Sequence, residues 1–410
     1  MIYLDHNSTT PMAPEVANAM AECYAAGYVN PASQHGLGRA ARRKLEEARQ
    51  GIAEILGAKT TGMDADSVIF TSGGTEANNL TLFGLASALG SAGASPSQPM
   101  LAISSIEHPS VVGPAEELQR RGWQLERLRV SPDGVVDISH AQELVDSALR
   151  APQSALSLML GNNETGVLQP VREIASLCRE AQIPSHTDAV QVAGKLPVNF
   201  RDLGVDAMTI SAHKFHGPRG VGALLLRHGV KLQPLLHGGF QQAGLRPGTE
   251  DVALAVGMHT ALRLWHDEQS DRQQKLEQLR DSFEANLRVG DSRVVINGAG
   301  ATRLPHTSNI SFPGVDRQAL LMALDMAGVA CSTGSACASG SSEPSPVLIA
   351  MGCPEEVISS SLRFSFGITN TAAEVEEAAR RILLAVNQLR HGKKGEIEAT
   401  RPRELGVKSV

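Results

Sequence analysis

No apolar run in the 410 residues approaches the roughly 20 that a membrane-spanning helix needs. The opening stretch Met1-Ile-Tyr-Leu-Asp-His-Asn-Ser-Thr-Thr10 lacks the cationic start and apolar core of a secretion signal. Neither membrane insertion nor export is expected. Cysteine is scarce and odd in number, with Cys23, Cys178, Cys331, Cys337 and Cys353 scattered along the chain. That argues against a disulfide framework and for a reducing cytoplasm. Positive charge is not in surplus: 37 Lys and Arg stand against 43 Asp and Glu, a formal net charge of −6. Without a basic field, nucleic acid is not expected as the main partner.

What is present is an ordinary globular composition, 42% hydrophobic and 20% charged, on a chain long enough for two or three domains. Short apolar runs at 68–71, 100–104, 155–160 and 222–226, and one ending at Thr187-Asp188, read as strands. Segments of helical spacing at 39–56, 109–121 and 172–181 alternate with them. The alternation predicts an α/β fold in which a mainly parallel sheet lies between helices and binds ligands at the carboxyl ends of its strands. A long helix from about 251 to 287, interrupted near 266–274, leads to further strands near Val294, 308–312, Val329 and 362–365. After His391 the chain turns polar, and a weakly ordered tail is expected over 392–410.

Three stretches carry chemistry. Thr209-Ile-Ser-Ala-His-Lys-Phe-His-Gly-Pro-Arg-Gly220 sets Lys214 just past an apolar run, among small residues. A lysine becomes a nucleophile only where a site holds it deprotonated, and a covalent link to a carbonyl cofactor is the commonest reason. Taken alone, a polar-loop lysine is the ordinary alternative. Ser67-Val-Ile-Phe-Thr-Ser-Gly-Gly-Thr-Glu-Ala-Asn-Asn79 reads as strand, glycine turn and helix, an order that presents backbone N–H groups to an anion. Cys337 lies in Cys331-Ser-Thr-Gly-Ser-Ala-Cys-Ala-Ser-Gly-Ser-Ser-Glu-Pro-Ser345. A thiol among glycine and serine suits nucleophilic attack and hand-over of what it carries, the alternative being an incidental linker cysteine.

Single residues add to these. Asp188, at a strand end, suits either a pyridinium nitrogen or a turn cap. His108 is placed to stack on an aromatic cofactor or to shuttle protons. Asn163 and Gln191 could donate to a phenolate oxygen, and Ser211, His213 and Thr249 could reach phosphate. Arg363, a charge inside an apolar strand, is either a clamp for a substrate carboxylate or half of a salt bridge.

Together these stretches resemble the cysteine desulfurases of the class V aminotransferase group, which are fold-type I pyridoxal phosphate enzymes. The resemblance runs from Tyr3-Leu-Asp-His-Asn-Ser-Thr-Thr-Pro11 to about Asn370. It rests on Asn30-Pro-Ala-Ser33, Thr71-Ser-Gly-Gly-Thr-Glu76, Glu107-His108, Asn162-Asn-Glu-Thr-Gly166, Asp188-Ala-Val-Gln191, Ser211-Ala-His-Lys214, Gly334-Ser-Ala-Cys337 and Arg363-Phe-Ser365. It implies a large domain over 15–260 with a seven-stranded sheet, a smaller α+β domain from 1–14 and 261–391 that carries the cysteine loop, and a homodimer. The implied reaction uses pyridoxal 5'-phosphate to take sulfur from L-cysteine, giving L-alanine and a Cys337 persulfide.

By motif position, Lys214 would hold the cofactor covalently, Asp188 would pair with its ring nitrogen, and His108 would stack on it and serve catalysis. Asn163 and Gln191 would contact the ring. Gly74, Thr75, Ser211 and His213 would hold the phosphate, with Thr249 reaching in from the partner subunit. Arg363 and Asn30 would bind substrate. No resident metal is implied, Cys337 touching at most a nascent iron–sulfur cluster in passing.

The long loop from Gly334 to Glu343 resembles the nitrogenase-type and housekeeping iron–sulfur subgroup, which implies delivery to an iron–sulfur scaffold or another sulfur acceptor. One departure stands out. Relatives commonly carry Gly-Gly-Gly-Gln-Glu-Arg-Gly-Leu-Arg-Ser-Gly-Thr where this chain reads Gly238-Gly-Phe-Gln-Gln-Ala-Gly-Leu-Arg-Pro-Gly-Thr249, so a changed loop is expected there. The alternatives are a selenocysteine or cystine lyase, another class V aminotransferase, or a non-catalytic scaffold. An aminotransferase has no use for Cys337, and a scaffold would be expected to have lost the lysine, the aspartate or the thiol.

Overall fold

The computed structural model describes residues 1–90, 98–147, 153–334 and 343–399. The chain opens with strand β1 (Ile2–Tyr3). A seven-stranded sheet follows, made of β2 (Ser67–Thr71), β3 (Met100–Ser104), β4 (Gln124–Leu128), β5 (Ser154–Ser157), β6 (Ser185–Asp188), β7 (Ala207–Ser211) and β8 (Gly222–Leu226). Their order is β2-β8-β7-β6-β5-β3-β4. Strand β8 runs antiparallel to β2 and β7, and the remaining pairings are parallel. The expected mainly parallel α/β sheet is the one found.

The inner strands are buried along their whole length, and the period of two divides their side chains between two hydrophobic cores. On β8, Ala223 and Leu225 join Leu45, Ile52, Phe200 and Trp265 on one face. Leu224 and Leu226 join Leu80, Leu85, Val111 and Leu118 on the other. The helix Gly36–Ile55 buries Ala41, Leu45, Ala48 and Ile52 at helical spacing. Strand β4 escapes the sequence reading because it is an edge strand: Gln124-Leu-Glu-Arg-Leu128 buries only Leu128.

The expected break in the long helix falls at Glu268, between the helices Val252–Asp267 and Gln269–Gly290. Beyond it, β9 (Val295–Ile296) and β10 (Thr307–Ser311) pair antiparallel. Strand β11 (Val329–Ala330) pairs in parallel with β1, and β12 (Ser361–Ser365) closes antiparallel on β10. Phe283, Phe312, Phe364 and Phe366 fill a core here together with Leu4 and Ile382. The Phe283 ring lies 5.1 Å from that of Phe364 and 5.2 Å from that of Phe366. Each such ring contributes about 1.5–3 kcal/mol by burial.

The final helix is Ala372–Ala399, so residues 392–399 are helical where the sequence suggests a weakly ordered tail. Residues 400–410 lie outside the described residues.

The N-terminal segment ties the two cores to each other. Leu4 donates its N–H to Ala330 O at 2.8 Å and accepts from Ser365 N. Six residues on, Thr10 donates to His213 O at 2.9 Å, beside the lysine.

Candidate active site

Strand β6 ends in Asp188, and β7 ends in Ser211 and runs into a short 3-10 turn, Ala212–Lys214. Strand β2 ends at Thr71, and the helix Gly74–Gly90 starts three residues later. These ends surround a cavity of ≈ 230 Å³ lined by Gly74, His108, Asp188, Gln191, Ser211 and Lys214 among others. His108, Asn163, Gln191 and Lys214 also line a second cavity of ≈ 670 Å³ that extends to Arg363, Gly334 and Glu343. The structure thus brings Gly74, Thr75, His108, Asn163, Asp188, Gln191, Ser211, His213 and Lys214 together.

Lys214 Nζ donates to the backbone oxygens of Asn7 at 2.5 Å and Ser8 at 2.9 Å. The Asp188 carboxylate is held by Asn78 Nδ2 at 2.7 Å and by the Val190 N–H at 3.0 Å. Asn78 also donates to Ser110 Oγ, which lies 2.7 Å from His108 Nδ1. His108 Nδ1 accepts from the Ser110 N–H as well, so the proton of the neutral ring sits on Nε2. Burial pushes the His108 pKa down; Asp188 opposes the shift, and Lys214 and Arg363 reinforce it. His213 is driven to about 4 by burial first, then by Lys214 and Lys195.

The cavity fits pyridoxal phosphate by the chemistry of its walls. The helix Gly74–Gly90 directs its first N–H groups and positive end at the cavity. A Cβ at Gly74 would meet Val190 Cγ2 at 2.9 Å, so this wall requires glycine. Ser211 Oγ is buried with no hydrogen-bond partner, an unspent group beside that helix end. A carboxylate and an amine complete the set that a phosphorylated pyridine aldehyde needs.

Of the two readings of Arg363, the structure shows the salt bridge. The side chain lines the larger cavity and is also paired: Nη2 donates to Asp5 Oδ1 at 2.8 Å and Ser8 Oγ at 2.9 Å. Nη1 donates to the backbone oxygens of Asn163 at 2.9 Å and Gly334 at 3.3 Å. Asn30 and Thr249 are not at this site. They are exposed and line a surface pocket of ≈ 330 Å³ that shares no residue with the two cavities. Asn30 Oδ1 accepts from the Ala32 N–H at 2.8 Å. Cys337 lies outside the described residues, although Gly334 and Glu343, on either side of that interval, both line the larger cavity.

The altered loop is docked on the sheet edge. Gln242 and Ala243 both adopt positive φ, 51° and 56°. The Gln242 amide grips the backbone of Phe70 on edge strand β2: Oε1 accepts from Phe70 N–H at 2.6 Å and Nε2 donates to Phe70 O at 2.9 Å. Arg49 Nη1 also donates to Oε1, at 3.0 Å. Arg246 then pairs with Glu76, in the first turn of the helix at the cavity, at 2.9 Å.

Sequence reading missed several residues. Asn7 and Ser8 lie in a quoted motif, but nothing in it assigned them to the lysine. Asn78 follows the glycine turn by one helical turn. Glu107 is buried, accepting from Ser104 Oγ at 2.5 Å and Met159 N–H at 2.9 Å. Burial raises its pKa to about 8, against the pull of those two bonds. Lys195, in Ala193-Gly-Lys-Leu196, carried no signal at all.

A class follows from this sheet and its strand-end lysine, carboxylate and anion-seeking helix. The aminotransferase class-V profile matches residues 2–377, and the chain belongs to that family. Within it the chain falls among the cysteine desulfurases. It is 42% identical over 374 residues to cysteine desulfurase IscS of Dictyoglomus turgidum, covering 91% of each chain. A solved NifS-like protein superposes with a TM-score of 0.85 at 31% identity, over 95% of this chain and all of that one. A solved structure of SspA in complex with cysteine does so at 0.75 and 29% identity, over 89% of this chain and 99% of that one.

Proposed function

We propose that the chain is a pyridoxal phosphate-dependent cysteine desulfurase that converts L-cysteine to L-alanine and passes the sulfur from Cys337 to an acceptor protein. The observation that carries this is the convergence of Lys214, Asp188, His108 and Gln191 on one cavity, with Arg363 on the adjoining one. Relatives named cysteine desulfurase, and the cysteine in the SspA structure, support it.

Lys214 would hold the cofactor, Asp188 its ring nitrogen, His108 its ring face, Asn163 and Gln191 its ring oxygen, and Gly74, Thr75, Ser211 and His213 its phosphate. When bound, pyridoxal phosphate supplies an electron sink for negative charge at the substrate's carbons. Arg363 takes the substrate carboxylate, exchanging a protein acceptor for a bidentate partner. Lys214 Nζ, seated on two carbonyl oxygens, moves the proton at the substrate's α-carbon when neutral. The His108 Nε2–H is the second proton carrier facing the substrate. The Cys337 thiolate attacks the substrate sulfur; the carbon–sulfur bond breaks, Cys337 keeps the sulfur as a persulfide, and the carbon takes a proton to give alanine.

The finer assignments belong to the same reading: a large domain over 15–260, a smaller one from 1–14 and 261–391, a homodimer, a cytoplasmic setting, and an iron–sulfur scaffold as acceptor. Thr249, outside the cavity of its own chain, suits a site completed by a second copy. The test is product analysis of pyridoxal-loaded protein with L-cysteine. Alanine as the product supports the reading; pyruvate and ammonia would sink it.

A further inference from the structure

Gln191 faces the small cavity, and its amide is held at both ends. Lys195 Nζ donates to Gln191 Oε1 at 2.9 Å. Gln191 Nε2 donates to the backbone oxygen of Asn7 at 3.0 Å. Both side chains are buried, each residue 6% exposed. Lys195 has no salt bridge to a carboxylate among the described residues. The groups around it are basic: Lys214 and Arg363, which reinforce the downward push of burial on its amine, and His6, His213, His216 and His306, which feel its charge. A charged lysine nitrogen only donates, a neutral one still carries two N–H donors beside its lone pair, and a backbone carbonyl only accepts. A flipped Gln191 would set its oxygen against the Asn7 carbonyl, losing that bond whatever the charge on the lysine, and against a charged lysine it would lose the second bond as well.

We propose that Lys195 is a positioning residue that locks the Gln191 amide so that its remaining N–H faces the cavity, making Gln191 a donor for an ionised oxygen of the bound group. The inference rests on the reading of pyridoxal phosphate in that cavity. A donor-only amide favours the ionised ring oxygen over the protonated one, and Lys195 acts two bonds away without touching the cofactor.

The experiment uses full-length protein titrated with pyridoxal phosphate in the absence of cysteine. At one pH, the ratio of the visible band (ionised ring oxygen) to the near-ultraviolet band (protonated ring oxygen) is read with the cofactor dissociation constant. Lys195→Met shifts the ratio toward the near-ultraviolet by about tenfold, the weight of one hydrogen bond to a charged oxygen. Gln191→Leu does the same, and the double variant goes no further, because the lysine works through the glutamine. Lys195→Gln, which keeps a donor, retains the parent ratio. An unchanged ratio in folded Lys195→Met, an additive double variant, or a shift in Lys195→Gln each overturns the proposal, the last even if Lys195→Met does not fold. Absence of both bands in the unsubstituted protein would instead overturn the pyridoxal reading, and this inference with it.

Discussion

Lys214 and Ser8 are 206 positions apart, and the lysine Nζ donates to the Ser8 carbonyl oxygen at 2.9 Å. The N-terminal segment therefore belongs to the site: Asn7 O takes a second bond from the lysine, and Asp5 and Ser8 Oγ take Arg363. Lys214→Ala removes the amine proposed to link the cofactor covalently and to move the α-proton. Loss of turnover by at least roughly 10²–10⁴-fold is expected, with loss of the visible band. Retained alanine production would show that another amine does this work.

A buried Arg363 is tied to a half-buried Asp5 in an ion pair, 3% and 19% exposed at the side chains. Arg363→Lys keeps the charge but loses the two-pronged geometry. The KM for cysteine should rise about 10–100-fold, the weight of hydrogen bonds to a charged group, while cofactor affinity stays within about twofold. Arg363→Ala should in addition lower stability by about 3–5 kcal/mol by stranding Asp5. Steady-state kinetics and urea unfolding separate the two effects.

Stability should fall with acid before ordinary carboxylates titrate. His6 is held near 3, and His186, His213 and His216 near 4, burial being the first cause in each. A histidine lowered in the folded state contributes stability that is complete above about 6.5, its unfolded value, and is lost as pH falls toward the folded value. Glu107, raised to about 8, and Glu164, also raised by burial, work in the opposite sense over the same range. The four histidines outweigh the two acids. Unfolding free energy should drop by about 1–3 kcal/mol per pH unit between pH 6.5 and 4.5, measured by urea titration. A flat profile would contradict the neutral burial of these rings.

Much of this was legible because α/β strands buried on both faces are continuous apolar runs, and because motif residues at strand ends converge by topology. Met100–Ser104 and Gly222–Leu226 were readable to the residue for the first reason. Lys214, Asp188 and His108 share a cavity for the second. Edge strand β4 was not readable, since one buried leucine leaves no alternation. Nor were Asn7 and Ser8, which act through backbone oxygens that no side-chain pattern encodes. Lys195 was hidden because its role depends on the direction of a neighbouring amide.

The altered loop carries its own prediction. Two consecutive non-glycine residues at positive φ cost about 1–2 kcal/mol each, and the Gln242 grip on Phe70 offsets that cost. Gln242→Ala should lower stability by about 1–3 kcal/mol. It should also weaken pyridoxal phosphate retention several-fold, because Arg246 in the same loop braces Glu76 at the cavity's helix. Thermal melts and cofactor dissociation together test it; unchanged retention would show that the loop braces the sheet edge alone.

The central claim is that sulfur leaves cysteine and stays on this chain. The most direct measurement is intact mass and peptide mapping of pyridoxal-loaded protein after L-cysteine, with Cys337→Ser alongside. The expected result is one added sulfur, about 32 Da, on the peptide containing Cys337, matched by alanine and absent from Cys337→Ser. An unmodified Cys337 with alanine still formed, or full sulfur release by Cys337→Ser, would contradict the account.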